Sequence, residues 1–231
     1  MPVEFRELRH PLKKQAQGML EMWVEVLSQE EARRTPMTKL QVQSQEEYEI
    51  RLIIWETRDV PLNNGGSVDI YIKVQFDPTG WAGTLVERQT DRHYGSKDGR
   101  GVFNYRFKFD VSTPCEFPRL KFQLFDFGMI SDESIGESIL NLKKTMTLLS
   151  KEGRIDIPKT WLQFSSPSEK NDECGQVLIS MQIIPKQEAE LSPAGEGWDE
   201  PNENPKLEKP SEGRGMGDKI MSAANIDVSK I

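Results

Sequence analysis

Four side chains are the first to test for chemistry: His10, His93, Cys115 and Cys174. Zinc asks for about four nitrogen or sulfur ligands, usually in closely spaced Cys or His pairs. Two histidines far apart and two isolated cysteines cannot supply that set, and two cysteines make no disulfide scaffold. They read as free thiols of a reducing compartment. His93 with some serine and aspartate would be the raw material of a nucleophile triad, but it sits in a stretch patterned as a strand, where a packed or paired histidine is expected. No G-x-S-x-G, no Walker lysine motif and no H-E-x-x-H occurs. Gly213-Arg214-Gly215-Met216-Gly217 is glycine-rich but lacks the flanking strand and helix that would cradle a phosphate. The expectation is a non-catalytic chain without a cofactor or a small-molecule substrate.

Charge narrows the partners. The 231 residues carry a net charge of -7, and a general nucleic-acid binder needs a basic footprint. No apolar run approaches the ~18 residues of a membrane span. Met1 to Leu20 has no apolar core of a secretory signal. A cytoplasmic chain is expected.

What must position any functional group is a β framework. Tyr48 to Glu56 and Val68 to Phe76 alternate, and Val102 to Val111 does so most clearly. There Phe103, Tyr105, Phe107 and Phe109 share one face, and Asn104, Arg106, Lys108 and Asp110 the other. Such alternation marks strands with one buried and one wet face. Further blocks are Leu85 to Tyr94, Leu120 to Phe127, Ser138 to Leu142, Trp161 to Phe164 and Val177 to Ile184. Turn signals such as Asn63-Asn64-Gly65-Gly66 and Lys97-Asp98-Gly99 separate them. Eight short strands so punctuated predict an all-β antiparallel sandwich. Lys143 to Lys151 is a helical turn between strands. Residues 1–45 read as a linker with one short helix, Glu30 to Arg34, opened by the capping-box pair Ser28 and Glu31 and stopped by Pro36. Residues 46–187 hold the sandwich. Residues 188–231 read as a disordered acidic tail: from 186 onward there are ten acids, six bases, four prolines and five glycines.

Ile53-Ile54-Trp55-Glu56-Thr57-Arg58-Asp59-Val60-Pro61, followed by Asp69-Ile70-Tyr71-Ile72-Lys73, resembles the opening of a C2 domain. Phe125-Asp126-Phe127 and Ile135-Gly136-Glu137 resemble its third-loop region. Narrower features resemble the ferlin family. They are Gln89-Thr90-Asp91-Arg92-His93-Tyr94, then Gly101-Val102-Phe103-Asn104-Tyr105-Arg106-Phe107, the segment Trp23 to Pro36, and Glu200 to Pro210. The last is similar to the linker after the final ferlin C2 domain. The resemblance runs from about Trp23 to Pro210 and implies a late, C-terminal C2 domain. In ferlins that linker leads to a membrane anchor; Ser211 to Ile231 is polar, so the chain reads as truncated before it. With no convincing strand before Tyr48 and one after Trp161, the second permuted C2 topology, type II, is expected.

The resemblance also implies where binding would occur. Laid on the family's five acidic calcium positions, the sequence gives Asn63 (less plausibly Asp59), Asp69, Asp126, Gly128, and the region of Asp132 and Glu133. That is a degenerate calcium site, weak or absent, since charge count tunes affinity. Membrane contact would fall to Leu62, Met129 and Ile130 at the loop tips and to Lys73, Arg106 and Lys108, with Arg119 and Lys121, on a basic face. The expected function is peripheral phospholipid binding in vesicle fusion or membrane repair. The alternative is a protein–protein interaction module without lipid or calcium.

Overall fold

The computed structural model describes residues 3–12, 16–35, 45–63, 66–78, 85–115, 117–128, 130–166 and 173–214. The chain divides into two compact units, Met1–Gln43 and Ser44–Ile231. The first holds an antiparallel hairpin, β1 (Glu4–Arg9) and β2 (Ala16–Met22), and the helix α1 (Gln29–Arg34). The helix starts as expected: the Ser28 hydroxyl accepts from the Glu31 N–H, and the Glu31 carboxylate accepts from the Ser28 N–H at 3.0 Å. The hairpin was not expected. Every residue of β1 is exposed, so no buried face imposes the alternation by which strands are read.

The second unit is the sandwich. Its strands are β3 (Glu46–Arg58), β4 (Val68–Asp77), β5 (Val86–Gln89), β6 (His93–Ser96), β7 (Gly101–Thr113), β8 (Arg119–Asp126), β9 (Glu133–Asn141), β10 (Ile155–Ser165) and β11 (Glu173–Pro185). Eight expected blocks become nine strands because Leu85 to Tyr94 is split between β5 and β6. One antiparallel layer is ordered β5-β4-β8-β9, with β6 also on β4; the other is β10-β11-β3-β7. A single pair, Ser165 with Glu137, joins them. The last strand lies between β10 and the first, β3, as the second permuted topology requires. The core fills from both inner faces with Ile50, Leu52, Ile54, Phe107, Phe122, Leu124 and Val177, all 0% exposed. Of the four aromatic residues expected to share one face of β7, Phe103, Phe107 and Phe109 are buried and Tyr105 is only partly so. Helix α2 (Lys143–Glu152) closes one gap, burying Met146 and Leu149.

The largest departure is at the C-terminal end. Residues 188–214, expected to be disordered, are laid onto the sandwich. Helix α3 (Lys186–Leu191) leaves β11 at once, and Ala189, Ala194, Asn202, Leu207 and Arg214 are buried. The segment crosses the outer face of β3 and β7. There the Arg51 guanidinium donates to the Ala189 carbonyl at 3.3 Å and the Ser192 carbonyl at 2.6 Å. Arg106 donates to the carbonyls of Gly195 and Pro205, and Gly197 N–H donates to the Arg106 carbonyl at 2.8 Å. The strap then passes the β7 edge, where Trp198 stands edge-on to Tyr105 at 5.0 Å and the Asn104 amide donates to the Glu208 carbonyl at 3.1 Å. It ends on β6, whose Tyr94 N–H donates to the Gly213 carbonyl at 2.9 Å. Composition misleads here because the strap is held by a few single apolar anchors and by its own carbonyls. Charged side chains and prolines do not prevent either. Residues 215–231 lie outside the described residues.

Candidate functional site

The loops that leave β3, β6 and β8 meet at one end of the sandwich. Asp69 starts β4 and Asp126 ends β8, and the ladder between those strands brings them together. The Asp69 N–H donates to Asp126 Oδ1 at 2.8 Å, and the Phe127 N–H returns a bond to the Asp69 carbonyl at 2.7 Å. Asn63 reaches over from the first loop, its amide donating to Asp126 Oδ2 at 3.1 Å. Asp69 Oδ1 accepts from the Gly95 N–H at 2.6 Å. Asp132 Oδ2 accepts from the Tyr71 hydroxyl at 2.6 Å, and its Oδ1 from the Gly128 N–H at 3.2 Å. That hydroxyl bond holds the Asp132 carboxyl below its usual range, and burial together with Asp132 raises the tyrosine. Glu133 pairs with Asp126 in the β8–β9 ladder and is exposed.

Calcium seeks six to eight oxygen ligands. Five of the six carboxylate oxygens of Asp69, Asp126 and Asp132 already accept hydrogen bonds within the loops, and Asn63 presents its donor side to Asp126. Gly128 cannot restore the missing carboxylate, because a Cβ there would collide with the Ser131 carbonyl. Among the described residues no group of three or more His, Cys, Asp or Glu is placed to hold a metal. As placed, these side chains form a latch that ties loop one to loop three.

Outside the latch the loops present apolar tips. Ile130 is 101% exposed and Leu62 41%; Met129 lies outside the described residues. Beside them Arg92 lies over the Phe127 ring at 3.9 Å, and Tyr94 meets that ring edge-on at 6.2 Å. A cation over an aromatic face is a stable way to hold a guanidinium beside an apolar surface.

The expected basic face does not form. Lys73 and Lys121 project from the outer face of the β4–β8 layer, where they pair with Glu87 at 3.7 Å and Glu137 at 2.5 Å. Arg106 and Lys108 belong to β7, on the opposite outer face. Arg106 is 0% exposed beneath the strap, where burial and the neighbouring Arg51 charge push its guanidinium down. It is a structural cation and cannot meet a surface. Alternation identified its face correctly but could not show what covers it.

A second cluster was missed. Gly213 has φ of +73° and a Cβ there would collide with the His93 ring. His93 Nδ1 accepts from the Val102 N–H at 3.2 Å and faces an Arg214 guanidinium nitrogen at 3.2 Å. Arg214 also pairs with Asp91, Nε to Oδ2 at 2.8 Å, and its guanidinium carbon is 5.7 Å from the Phe103 ring centroid. Burial raises the Asp91 carboxyl to about 6, against the pull of Arg214, and burial together with the Arg214 charge pushes His93 down from its usual range. Thr90-Asp91-Arg92-His93-Tyr94, Gly101 to Phe107 and Glu200 to Pro210 are therefore parts of one arrangement: the first two receive the strap, and the third is the strap. Their common presence in one sequence was the available signal.

No family model matches the chain. It is 44% identical over 230 residues to Ferlin 2 of Tetrahymena thermophila, covering 97% of the chain and 13% of that protein. Ferlin 1 of Toxoplasma gondii is 31% identical over 208 residues, with 89% and 14% covered. Human myoferlin is 31% identical over 251 residues, with 85% and 12% covered. The chain thus spans about an eighth of the length of these relatives. Among solved structures, a C2 domain of plant extended synaptotagmin 1 is similar at a TM-score of 0.46 and 16% identity, with 59% of this chain and 94% of that one covered. The paired C2 domains of extended synaptotagmin 2 are similar at 0.45 and 15%, with 71% and 48% covered. A ferlin match running through nearly the whole chain, on a sandwich of second-form C2 topology, makes this chain a member of the ferlin family that spans one C2 domain of such a protein.

Proposed function

We propose that this C2 segment is a non-catalytic, peripheral membrane-binding module on the cytoplasmic side, serving vesicle fusion or membrane repair in the manner of the ferlins. Its contact with phospholipid does not depend on calcium. The observation that carries this reading is the division of labour at the loop end. The acidic side chains are spent on holding the loops, while Leu62 and Ile130 stand out into solvent. Met129, beside Ile130 in the sequence, is the third membrane-contact residue of this reading. Lys73 and Lys108 serve as separate flanking cations rather than as one patch, at about 1 kcal/mol for each that reaches an anionic surface.

Co-sedimentation with phosphatidylserine–phosphatidylcholine vesicles tests the proposal. Leu62→Asp with Ile130→Asp should lower the bound fraction at least about tenfold, since burying each apolar side chain contributes roughly 1.5–3 kcal/mol. Salt should weaken the residual binding by screening. A double variant that binds like the parent chain would overturn the assignment of the tips. A parent chain that binds no vesicle would favour a protein-interaction module instead.

A further inference from the structure

The first compact unit repeats the end of the second. β1, β2 and α1 follow one another as β10, β11 and α3 do. Gly18 in β2 answers to Gly175 in β11, and α1 and α3 start the same number of residues beyond those glycines. The ladders agree pair by pair. Phe5 faces Glu21, Arg6 faces Leu20 and Glu7 faces Met19, as Trp161 faces Leu178, Leu162 faces Val177 and Gln163 faces Gln176. Each ladder has an irregularity just before its last pair, at Arg9 and at Ser165.

Continued along the chain, this register sets Leu20, Met22, Val24 and Val26 where β11 has Val177, Ile179, Met181 and Ile183. The β11 residues are core, at 3% exposure or less, whereas Leu20, Val24 and Val26 are 44%, 70% and 93% exposed. Leu8 is exposed in the place of the buried Phe164, and Ala32 in the place of the buried Ala189. Arg6 stands where the half-buried Leu162 does, its charge matched by Glu4 at 2.5 Å. β11 runs on to Pro185 because β3 flanks its second edge. Among the described residues β2 pairs only with β1, and it stops at Met22. Two strands alone are marginal in water, and a sheet that is apolar on one face must bury it against another layer.

We propose that residues 4–34 are the closing hairpin and helix of a second C2-type sandwich, and that the face of Leu20, Met22, Val24 and Val26 docks onto the remaining strands of that sandwich. Those strands come from polypeptide outside this chain. The match to Ferlin 2 runs through 97% of the chain but fills only 13% of that protein, so chain of the required length is available there. A second copy would bring the same two strands and the same open face, not the facing layer. The connection between the two sandwiches is then residues 35–45 rather than residues 1–45.

Hydrogen exchange tests this on two chains. One is this chain; the other is the same chain extended at Met1 by the roughly 100 residues that precede the match in Ferlin 2, about what a sandwich needs. In this chain the amides of β2 should exchange far faster than those of β11. In the extended chain their protection should rise at least about a hundredfold, through entry into a cooperatively folded unit. Leu20→Asp with Val24→Asp should abolish that gain and leave the thermal midpoint of the Ser44–Ile231 unit unchanged. Met19→Asp, on the opposite face, should keep the gain. Protection of β2 already present in this chain would mean that the face is covered within it, and would overturn the proposal. So would no gain in the extended chain, or a gain that survives the double variant. Protection that rises with the concentration of this chain would give the face to a second copy and overturn it too.

Discussion

The loop end and the strapped edge of the sandwich solve the same problem in opposite ways. Each gathers charged side chains that must be satisfied. At the loop end the charges are carboxylates, and their donors come mostly from loop and strand-end neighbours: the N–H groups of Asp69, Gly95 and Gly128, the Tyr71 hydroxyl and the Asn63 amide. At the strapped edge the charges are Arg51, Arg106 and Arg214. The carbonyls of Ala189 and Ser192, with the Glu49 carboxylate, hold Arg51; those of Gly195 and Pro205 hold Arg106, whose Nε is left without a partner; Arg214 comes with the strap and meets Asp91. The first arrangement leaves its surface free, with apolar tips outward. The second spends its surface on holding a distant segment. A cation on an alternating strand is thus no sign of a binding face until what crosses it is known.

The comparison can be broken at several strengths. Phe107 supports both regions from the common core at 0% exposure, so Phe107→Ala should cost about 3–5 kcal/mol in denaturant unfolding. A loss under about 1 kcal/mol would show that it is not in a packed core. Arg106→Ala should cost about 2–4 kcal/mol, because two carbonyls and a cavity are left behind. It should also open residues 186–214 to limited proteolysis while leaving the loop end intact. A strap that stays protected would mean that Arg106 does not hold it.

Gly213→Ala acts only on the strap's end. Its positive φ and the His93 ring both oppose a side chain, and about 1–3 kcal/mol is expected, read as faster hydrogen exchange at the Tyr94 amide. Asp126→Asn keeps one acceptor of two, so about 1 kcal/mol or less is expected, with vesicle binding retained. Loss of vesicle binding in that variant would point to a cation held by Asp126.

Acid separates the two titrating groups at the strap's end. Asp91 is raised from 3.8 to about 6 in the fold, so its contribution is present below about 4 and lost as the pH rises through 6. His93 is lowered from 6.5, so its contribution is present above 6.5 and lost as the pH falls. Between those limits they oppose each other. Asp91→Asn leaves His93 alone, and its thermal midpoint should fall more steeply from pH 7 to pH 5 than that of the parent chain. Parallel profiles would show that Asp91 is not buried as described.

The sandwich was legible because burial on one face imposes a period of two, and Ile50, Leu52, Phe107 and Val177 announce it. The meeting of Asp69 and Asp126 was legible only through the family resemblance, since they are far apart in sequence. The strap was hidden because composition counts charges and prolines, whereas its hold depends on carbonyls, a positive-φ glycine and buried arginines paired with groups distant in sequence. The hairpin β1–β2 left no pattern because it buries nothing on its first strand.

The loop end is tested most directly by calorimetric titration of calcium into the chain. With the carboxylates committed to loop hydrogen bonds, no saturable heat is expected at concentrations below ~10⁻⁴ M, the weak end of calcium sites. Saturation at micromolar calcium would contradict it, and would show that the latch opens to release its oxygens to the ion.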